Sequence, residues 1–303
     1  MQSAVAGAWM RLDARKMIAT TERPTLGPAM PPGTGVCVIN LDARADRWEQ
    51  FQAEVAPALA PMPLHRVSAV AGGKLPGYGE SPWFRGRKRD ATWGARGGCV
   101  LSHRAALLHA RDSGWPWVLV LEDDLARPVA VEAGTVAALS GALAAHAADV
   151  CYLGFTDPQL PCRQLAALGA GHALHQVFGC STTHAYLASA RAVEWILARL
   201  PEPADIWPWV ARHRAIDRFY YRNLSPALKV TAVSPTWLDQ RGGFSDIIGR
   251  EVGAYAEAHR TAVEVCHPVD GEFRAALRAR AAAFRRAGWA DAFRGCWKRL
   301  RGF

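Results

Sequence analysis

Apolar and polar positions repeat in two alternating patterns along this chain. Residues 36–41, 64–70, 118–121 and 149–154 are dominated by aliphatic side chains, which is typical of strands buried on both faces. Between these runs lie stretches whose apolar residues recur every three or four positions, as they do in amphipathic helices. Strands that alternate with helices predict an α/β fold, with a mostly parallel, Rossmann-type sheet flanked by helices.

The remaining elements are predicted from weaker patterns. Asp42 can cap the first helix, which buries Trp48 and Phe51, and Ser189 can cap a later one. The other predicted helices span residues 99–113, 131–147 and 207–224, the later strands span 182–187 and 228–233, and residues 74–98 and 155–180 are predicted loops.

Composition divides the chain into three segments. Residues 1–34 show no regular period and predict a poorly ordered leader. Residues 35–265 carry the alternating pattern and predict one globular domain. Residues 266–303 predict a basic amphipathic helical tail.

Three consecutive carboxylates, Glu122, Asp123 and Asp124, directly follow the apolar run 118–121. Adjacent carboxylates repel one another unless a divalent cation lies among them, and hard oxygen ligands suit Mg²⁺ or Mn²⁺. Open α/β sheets also bind ligands at the carboxyl ends of their strands. The triplet therefore predicts a metal site, with a solvated acidic turn as the alternative.

Arg44 and Arg47 lie in the first turn of the first predicted helix. Positive charge is unfavourable near a helix N-terminus, so two arginines there indicate an anionic partner such as a nucleotide phosphate. Ordinary surface arginines are the alternative.

Ser102 and His103 are expected in the first turn of the helix 99–113, where free N–H groups favour anions. Neighbours on a helix do not face each other, so this pair favours ligand binding over covalent catalysis. Farther along, Asp217 stands among Ile216, Phe219 and Tyr220. A carboxylate in such apolar surroundings is either structural or chemically poised.

Composition limits the cellular setting. The 303 residues are 50% hydrophobic and 21% charged, which is globular composition, and no apolar run reaches the roughly 20 residues of a membrane span. The charged N-terminal region does not resemble an export signal. The seven cysteines are widely spaced without a Cys-x-x-Cys pair, which argues for reduced thiols in the cytoplasm and against zinc or disulfides.

Most of the net charge of +9 lies in the tail. Residues 271–303 contain nine Arg or Lys against two acidic residues, so the other 270 residues are near neutral. Trp289, Phe293, Trp297 and Leu300 fall near one face of the predicted tail helix. This pattern favours binding at a membrane surface, here the cytoplasmic face of the inner membrane, and a helix packed on the domain is the alternative. Nucleic-acid binding would rest on the tail alone and is not favoured.

Five motifs together resemble glycosyltransferase family 25, which includes bacterial lipopolysaccharide sugar transferases and collagen galactosyltransferases. The likeness covers roughly residues 35–250, and its motifs occupy residues 38–47, 98–103, 120–124, 183–189 and 235–247. The chain departs from the family at two places where many members have an acidic residue. It has Ala71 before Gly72, and it has Gly94-Ala95-Arg96-Gly97 before the Gly98-Cys99 pair. These departures leave the donor's identity open.

The resemblance implies a GT-A-like fold and transfer of a hexose, typically galactose from UDP-galactose, to a saccharide or glycolipid hydroxyl with inversion. It implies that Asp124, with Asp123, ligates Mn²⁺ or Mg²⁺ and that Glu122 faces the nucleotide or sugar. The donor site would be lined by further polar residues, namely Asn40, Arg44, Arg47, Ser102 and His103.

An inverting transfer needs a base for the acceptor hydroxyl. We predict Asp217 for this role, with Asp239 and Asp246 as rivals. A non-catalytic, membrane-associated module that binds a nucleotide-sugar or glycan is the alternative function.

Overall fold

The computed structural model describes residues 26–27, 30–80, 82–84, 91–245, 250–252 and 270–300. The strands are β1 (Thr34–Asn40), β2 (Leu64–Ser68), β3 (Trp117–Glu122), β4 (Val150–Gly154), β5 (Pro158–Gly169), β6 (His172–Cys180), β7 (Ala185–Ser189), β8 (Val230–Ser234), β9 (Gly243–Ser245) and β10 (Arg250–Val252). The helices are α1 (Ala45–Glu54), α2 (Ala56–Leu59), α3 (Ala91–Asp112), α4 (Ala133–Ala145), α5 (Ala190–Leu197), α6 (Ile206–His213), α7 (Ile216–Asn223) and α8 (Asp270–Leu300).

Eight strands form one mixed sheet in the order β2-β1-β3-β7-β4-β8-β6-β5, and β9 pairs with β10 separately. The pairs β1–β2, β1–β3 and β4–β8 are parallel. The other four pairs of the large sheet are antiparallel. The α/β class is therefore confirmed, whereas a mostly parallel sheet is wrong, because β7 and the β5–β6 hairpin run against their neighbours.

Both faces of the central strands are buried, as the continuous apolar runs predict. In β1, Cys37 and Ile39 face one core, which also contains residues of α3, α5, α6 and α7. Val36 and Val38 face a second core, formed with residues of α1, α2 and α4. Helices thus cover both faces of the sheet, and ligand binding is left to the loops at the carboxyl ends of its strands.

The β5–β6 hairpin occupies the stretch that the sequence predicted to be a loop. Its strands carry Gln, Arg and Pro among the apolar residues and pair with several register shifts. A clean two-residue alternation is therefore missing from the sequence. β6 is instead stabilised by its pairing with β8, more than 50 residues away along the chain.

Two helix predictions also change. α3 begins at Ala91, eight residues before the predicted start, so the loop predicted to reach residue 98 is too long. The single helix predicted over 207–224 is two helices, because Arg214 between them has a φ of +77°. The cap at Ser189 is confirmed, since its side chain accepts a hydrogen bond from the Ala192 N–H.

The two ends of the chain are described only in part. Within the predicted leader, Leu26 and Met30 are buried in the second core. α8 is one helix whose Phe273 and Ala281 are buried, and it contacts β5 and α7. The side chains of Trp289, Phe293, Trp297 and Leu300 lie outside the described residues. Among the helices that the structure describes, none combines the length and apolarity that a membrane span requires.

Candidate functional site

A cavity of about 500 Å³ opens at the carboxyl end of β3, where the acidic triplet lies. Its wall contains five carboxylates and five arginines. Threonines from the turn before β7 also line it, as do residues 240–243, which follow β8. The charged lining residues are Arg44, Asp46, Arg47, Arg96, Glu122, Asp123, Asp124, Asp217, Arg218 and Arg241. The cavity therefore carries both signs of charge.

Glu122 ends β3 and is tied to buried groups behind the cavity. Its Oε1 accepts a hydrogen bond from Thr183 Oγ1 at 3.2 Å and lies 3.4 Å from His103 Nε2. Burial acts to raise the pKa of Glu122, but His103, His184 and Thr183 outweigh burial and lower that pKa. Glu122 is therefore an ionised, oriented carboxylate in the cavity wall.

Asp123 is held by an amide and a guanidinium group from the neighbouring strand and helix. Because β1 and β3 are parallel, with Ile39 opposite Glu122, Asn40 lies beside the triplet. Asn40 Nδ2 donates to Asp123 Oδ2 at 2.5 Å, and Arg47 Nη1 donates to Oδ1 at 3.2 Å. Burial still raises the pKa of Asp123.

Asp124 has weaker protein partners than Asp123. Gln240 Nε2 lies 3.4 Å from its Oδ2, and the Arg241 backbone N–H donates to its carbonyl at 2.7 Å. Burial, followed by the charges of Glu122 and Asp123, raises the pKa of Asp124 to about 7. An ionised Asp124 is thus destabilised by its neighbours, and a cation would relieve that repulsion.

The predicted phosphate-binding arginines lie at the cavity, but each has a carboxylate partner. Arg44 pairs with Asp46 on α1 at 2.9 Å, and Arg47 pairs with Asp123. Arg241 is held by Glu54 at 2.8 Å. These ion pairs restrict the orientations of the three guanidinium groups.

Ser102 and His103 are not at the start of a helix, because α3 begins eleven residues before Ser102. The expectation that free N–H groups surround them is therefore wrong. Ser102 Oγ accepts from the Val70 N–H and donates to the Gly98 carbonyl, so it joins α3 to the segment that follows β2. His103 is fully buried and contacts Glu122 from behind. Asn40, Ser102 and His103 lie outside the cavity lining.

Asp217 lies in the first turn of α7 and lines the cavity together with Ala215 and Ile216. Its Oδ1 accepts a hydrogen bond from the Arg218 N–H at 2.6 Å. Its rival Asp239 is buried outside the cavity lining and accepts from Thr236 Oγ1 at 2.6 Å. The other rival, Asp246, is outside the described residues.

Several cavity residues have a local structure that the sequence pattern does not predict. Thr182 and Thr183 were predicted to begin a strand, but β7 begins at Ala185, and Thr182 has a φ of +66°. A β-branched residue in the left-handed region is strained, and such strain is concentrated at functional sites. The segment from Gln240 to Gly243 also lines the cavity.

Cys99 is the other unexpected residue of the cavity. Cys99, His103 and Glu122 each offer one ligand atom, and these atoms lie within 4.8 Å of one another, so the group could hold a metal ion. Burial, with the charges of Glu122, Asp217 and Asp124, raises the pKa of the Cys99 thiol well above its usual value. The sequence signal was the spacing Cys-x-x-x-His, which puts both side chains on one face of a helix. The lack of a Cys-x-x-Cys pair does not exclude a metal site with this spacing.

Comparisons with known proteins do not assign this chain to a family. No protein-family model matches the chain, and no curated protein matches it. Solved structures that match weakly include A197 from STIV, at 12% identity over 77% of this chain and 99% of that chain, with a TM-score of 0.33. Mannose-1-phosphate geranyltransferase from Thermus thermophilus matches at 12% identity over 66% of this chain and 73% of that chain, with a TM-score of 0.27. TM-scores this low carry no argument about fold or activity.

Proposed function

We propose that this protein is a metal-assisted glycosyltransferase that moves a hexose from a nucleotide-sugar to a hydroxyl of a saccharide acceptor. One observation carries the proposal. A single cavity joins the carboxylates of residues 122–124 to five arginines and contains Asp217 on a separate helix. A diphosphate needs positive charge, a divalent cation needs clustered carboxylates, and an acceptor hydroxyl needs a base.

The acidic triplet fits a hard divalent cation. Its carboxylates lie together, partly buried, and burial followed by the charges of Glu122 and Asp123 raises the pKa of Asp124. Asp124 would hold the ion, with Asp123 beside it. When bound, Mn²⁺ or Mg²⁺ would stabilise the charge that develops on the leaving nucleoside diphosphate.

The arginines of the cavity have the chemistry to bind a diphosphate. Arg44 and Arg47 belong to the start of α1, Arg96 to α3 and Arg218 to α7. A guanidinium group donates two parallel hydrogen bonds to a phosphate, which fixes orientation as well as position. Glu122, ionised and hydrogen-bonded to Thr183, would orient the sugar or ribose by accepting hydrogen bonds from its hydroxyls.

Asp217 is our choice of base. It lines the cavity on α7, whereas the acidic triplet follows β3, so the two groups approach a bound donor from different elements. Its Oδ1 accepts a backbone hydrogen bond, and Oδ2 would accept the proton of the acceptor hydroxyl. Attack with inversion requires such a base on the face opposite the leaving group.

The finer assignments extend the family resemblance. We infer UDP-galactose as donor and lipopolysaccharide or another cell-surface glycan as acceptor, with α8 at the cytoplasmic membrane surface. The exposed arginines of α8, including Arg278, Arg285 and Arg286, are compatible with an anionic lipid surface.

The test is a panel of nucleotide-sugars incubated with the protein, with Mn²⁺ or with a chelator, while release of nucleoside diphosphate is measured. We expect metal-dependent hydrolysis of at least one donor, with UDP-galactose preferred. Binding of a donor without any release would instead indicate the non-catalytic binding module.

Asp217→Asn separates catalysis from binding. We expect transfer to fall by a factor of about 10³ or more while the donor Kd changes less than about threefold. Asp239→Asn is the matched control, because Asp239 is a buried carboxylate outside the cavity lining. Retained turnover in Asp217→Asn would refute the role of Asp217 as base.

A further inference from the structure

Cys99 and His103 lie one turn apart on α3, and both face the end of β3. The thiol of Cys99, the imidazole of His103 and the carboxylate of Glu122 present ligand atoms within 4.8 Å of one another. Cys99 and Glu122 line the cavity, and His103 closes the group from behind. Sulfur, nitrogen and oxygen ligands therefore converge at one edge of the cavity.

We propose that Cys99, His103 and Glu122 form a binding site for a thiophilic divalent cation such as Zn²⁺, separate from the hard-cation site at Asp124. Because Glu122 would otherwise orient the sugar or ribose of the donor, a cation at this site takes Glu122 away from the donor and inhibits transfer. The inhibition rests on the proposed function, whereas binding of the cation does not.

The ligand set decides the class of metal. Zn²⁺ binds thiolate, imidazole and carboxylate ligands in tetrahedral geometry, whereas Mg²⁺ selects oxygen ligands. Three protein ligands leave a fourth position that a water molecule would fill, as in other zinc sites with three protein ligands. A pair of ligands at positions i and i+4 of one helix is a spacing that zinc sites use, because it puts both side chains on one face.

A second layer of hydrogen bonds holds the imidazole. His103 Nδ1 lies 3.1 Å from Tyr186 Oη, which in turn lies 3.2 Å from Tyr220 Oη. Both tyrosines are buried. When Nδ1–H donates to Tyr186, the Nε2 lone pair points towards Glu122, as metal-binding histidines require.

His103 Nε2 and Glu122 Oε1 lie 3.4 Å apart. Nε2–H donates to Glu122 in one tautomer, whereas in the tautomer with Nδ1–H both atoms are acceptors. Thr183 Oγ1 can donate to only one of them at a time, and it lies 3.2 Å from Glu122 and 3.4 Å from His103. A cation between the two acceptors removes the conflict, with the Cys99 sulfur as its third ligand.

The surroundings also favour a cation. Glu122, Asp124 and Asp217 all act electrostatically on the Cys99 sulfur. These carboxylates already lie close by, so they balance the charge of a bound Zn²⁺. The cation in turn stabilises the thiolate form of Cys99, which is the form that binds metal.

The test uses Co²⁺ as a spectroscopic probe on the full-length, chelator-treated protein. We expect a sulfur-to-cobalt charge-transfer band that saturates at one equivalent and is abolished by stoichiometric Zn²⁺. Cys99→Ser should lose the band and weaken Zn²⁺ binding by about 100-fold. Cys37→Ala is the matched control, since Cys37 is buried in β1 away from the cavity lining, and it should keep the band.

Two further measurements keep the test independent of folding and of the proposed function. Asp124→Asn should retain the cobalt band, because Asp124 is not a ligand of this site. The Zn²⁺ concentration for half-inhibition of Mn²⁺-dependent donor hydrolysis, relative to each protein's own activity, should rise about 100-fold in Cys99→Ser. An absent band in the wild type, or an unchanged band in folded Cys99→Ser, overturns the proposal. A band without any donor hydrolysis keeps the site and refutes the proposed function.

Discussion

At the residue scale, the candidate site depends on how Glu122 is held. Its carboxylate reaches the cavity, while Thr183 and His103 contact it from the buried side. The resemblance implied that His103 lines the donor site, whereas in the structure His103 is buried outside the cavity lining and lies 3.4 Å from Glu122. Sequence separation conceals this arrangement, since Thr183 is 61 residues from Glu122 along the chain.

Thr183→Val tests that positioning. The change conserves volume and removes the hydroxyl that donates to Glu122, so we expect a loss of about 1 kcal/mol in the free energy of unfolding and about a tenfold lower kcat/KM. Thr231→Val is the control, because buried Thr231 donates to the Val150 carbonyl away from the cavity. It should lose similar stability and keep its kcat/KM, measured by denaturant unfolding and donor hydrolysis. Equal kinetic losses in both variants would contradict a specific role for Thr183.

Asp124→Asn tests the hard-cation site. The variant removes a carboxylate that its neighbours destabilise, so the metal-free protein should gain a few degrees in Tm at pH 8, above the raised pKa of about 7. Saturating Mn²⁺ should raise the wild-type Tm by several degrees and leave that of the variant unchanged. Exposed Asp112 supplies the control, and Asp112→Asn should behave as the wild type in thermal unfolding. A Mn²⁺ response that survives in Asp124→Asn would exclude Asp124 as a ligand.

At the element scale, α3 is positioned by glycines rather than by apolar packing alone. A Cβ atom on Gly98 would lie 2.2 Å from the Val70 carbonyl oxygen, so only glycine allows this approach. The close contact lets Ser102 reach the Val70 N–H at 2.8 Å. The Gly98–His103 motif therefore has a structural role at its first and fifth positions, while Cys99 faces the cavity.

Gly98→Ala should consequently destabilise the protein by about 1–3 kcal/mol, because either α3 or the backbone at Val70 must shift. The paired control is Gly141→Ala in α4, where nothing lies within 4 Å of the added Cβ atom. That change should stabilise the protein by about 0.5–1 kcal/mol through helix propensity. Denaturant unfolding measures both, and the same sign for both variants would contradict the close contact.

At the scale of the whole molecule, α8 adds basic charge beside the β5–β6 end of the sheet. The helix contacts β5 and α7, and Phe284 stacks on Phe178 with 5.6 Å between ring centroids. The packing alternative to a free tail helix is thus realised for residues 273–284. The arginines at 278, 285 and 286 remain exposed on that packed helix.

We expect the full-length protein to bind vesicles that contain an anionic phospholipid, and high salt to release it. Reversal of Arg278, Arg285 and Arg286 to Glu should weaken binding by about 100-fold, since each basic residue contributes about 1 kcal/mol at such a surface. Reversal of the exposed residues Lys74, Arg111 and Arg212 gives the same net charge and should have a smaller effect. Equal losses in vesicle sedimentation would show that net charge, and not α8, determines binding.

The sequence alone determined the buried strands β1, β3 and β4, the helices packed beside them and the acidic triplet at the end of β3. These features depend on local periodicity and on adjacent residues, so a single stretch of chain is enough to specify them. The sequence also indicated Asp217 as a candidate base. Asp217 lines the cavity in the structure, and its role as base is a prediction.

Only the tertiary structure decided which polar residues share the cavity. The β5–β6 hairpin, the antiparallel course of β7 and the long N-terminal extension of α3 depend on pairing and packing between distant segments. For that reason the sequence put Ser102 and His103 at a helix start. Folding instead places Ser102 in a structural contact and brings His103, Cys99 and Glu122 together. Local pattern determines which side a residue faces, whereas the identity of its partner depends on where the other segments lie.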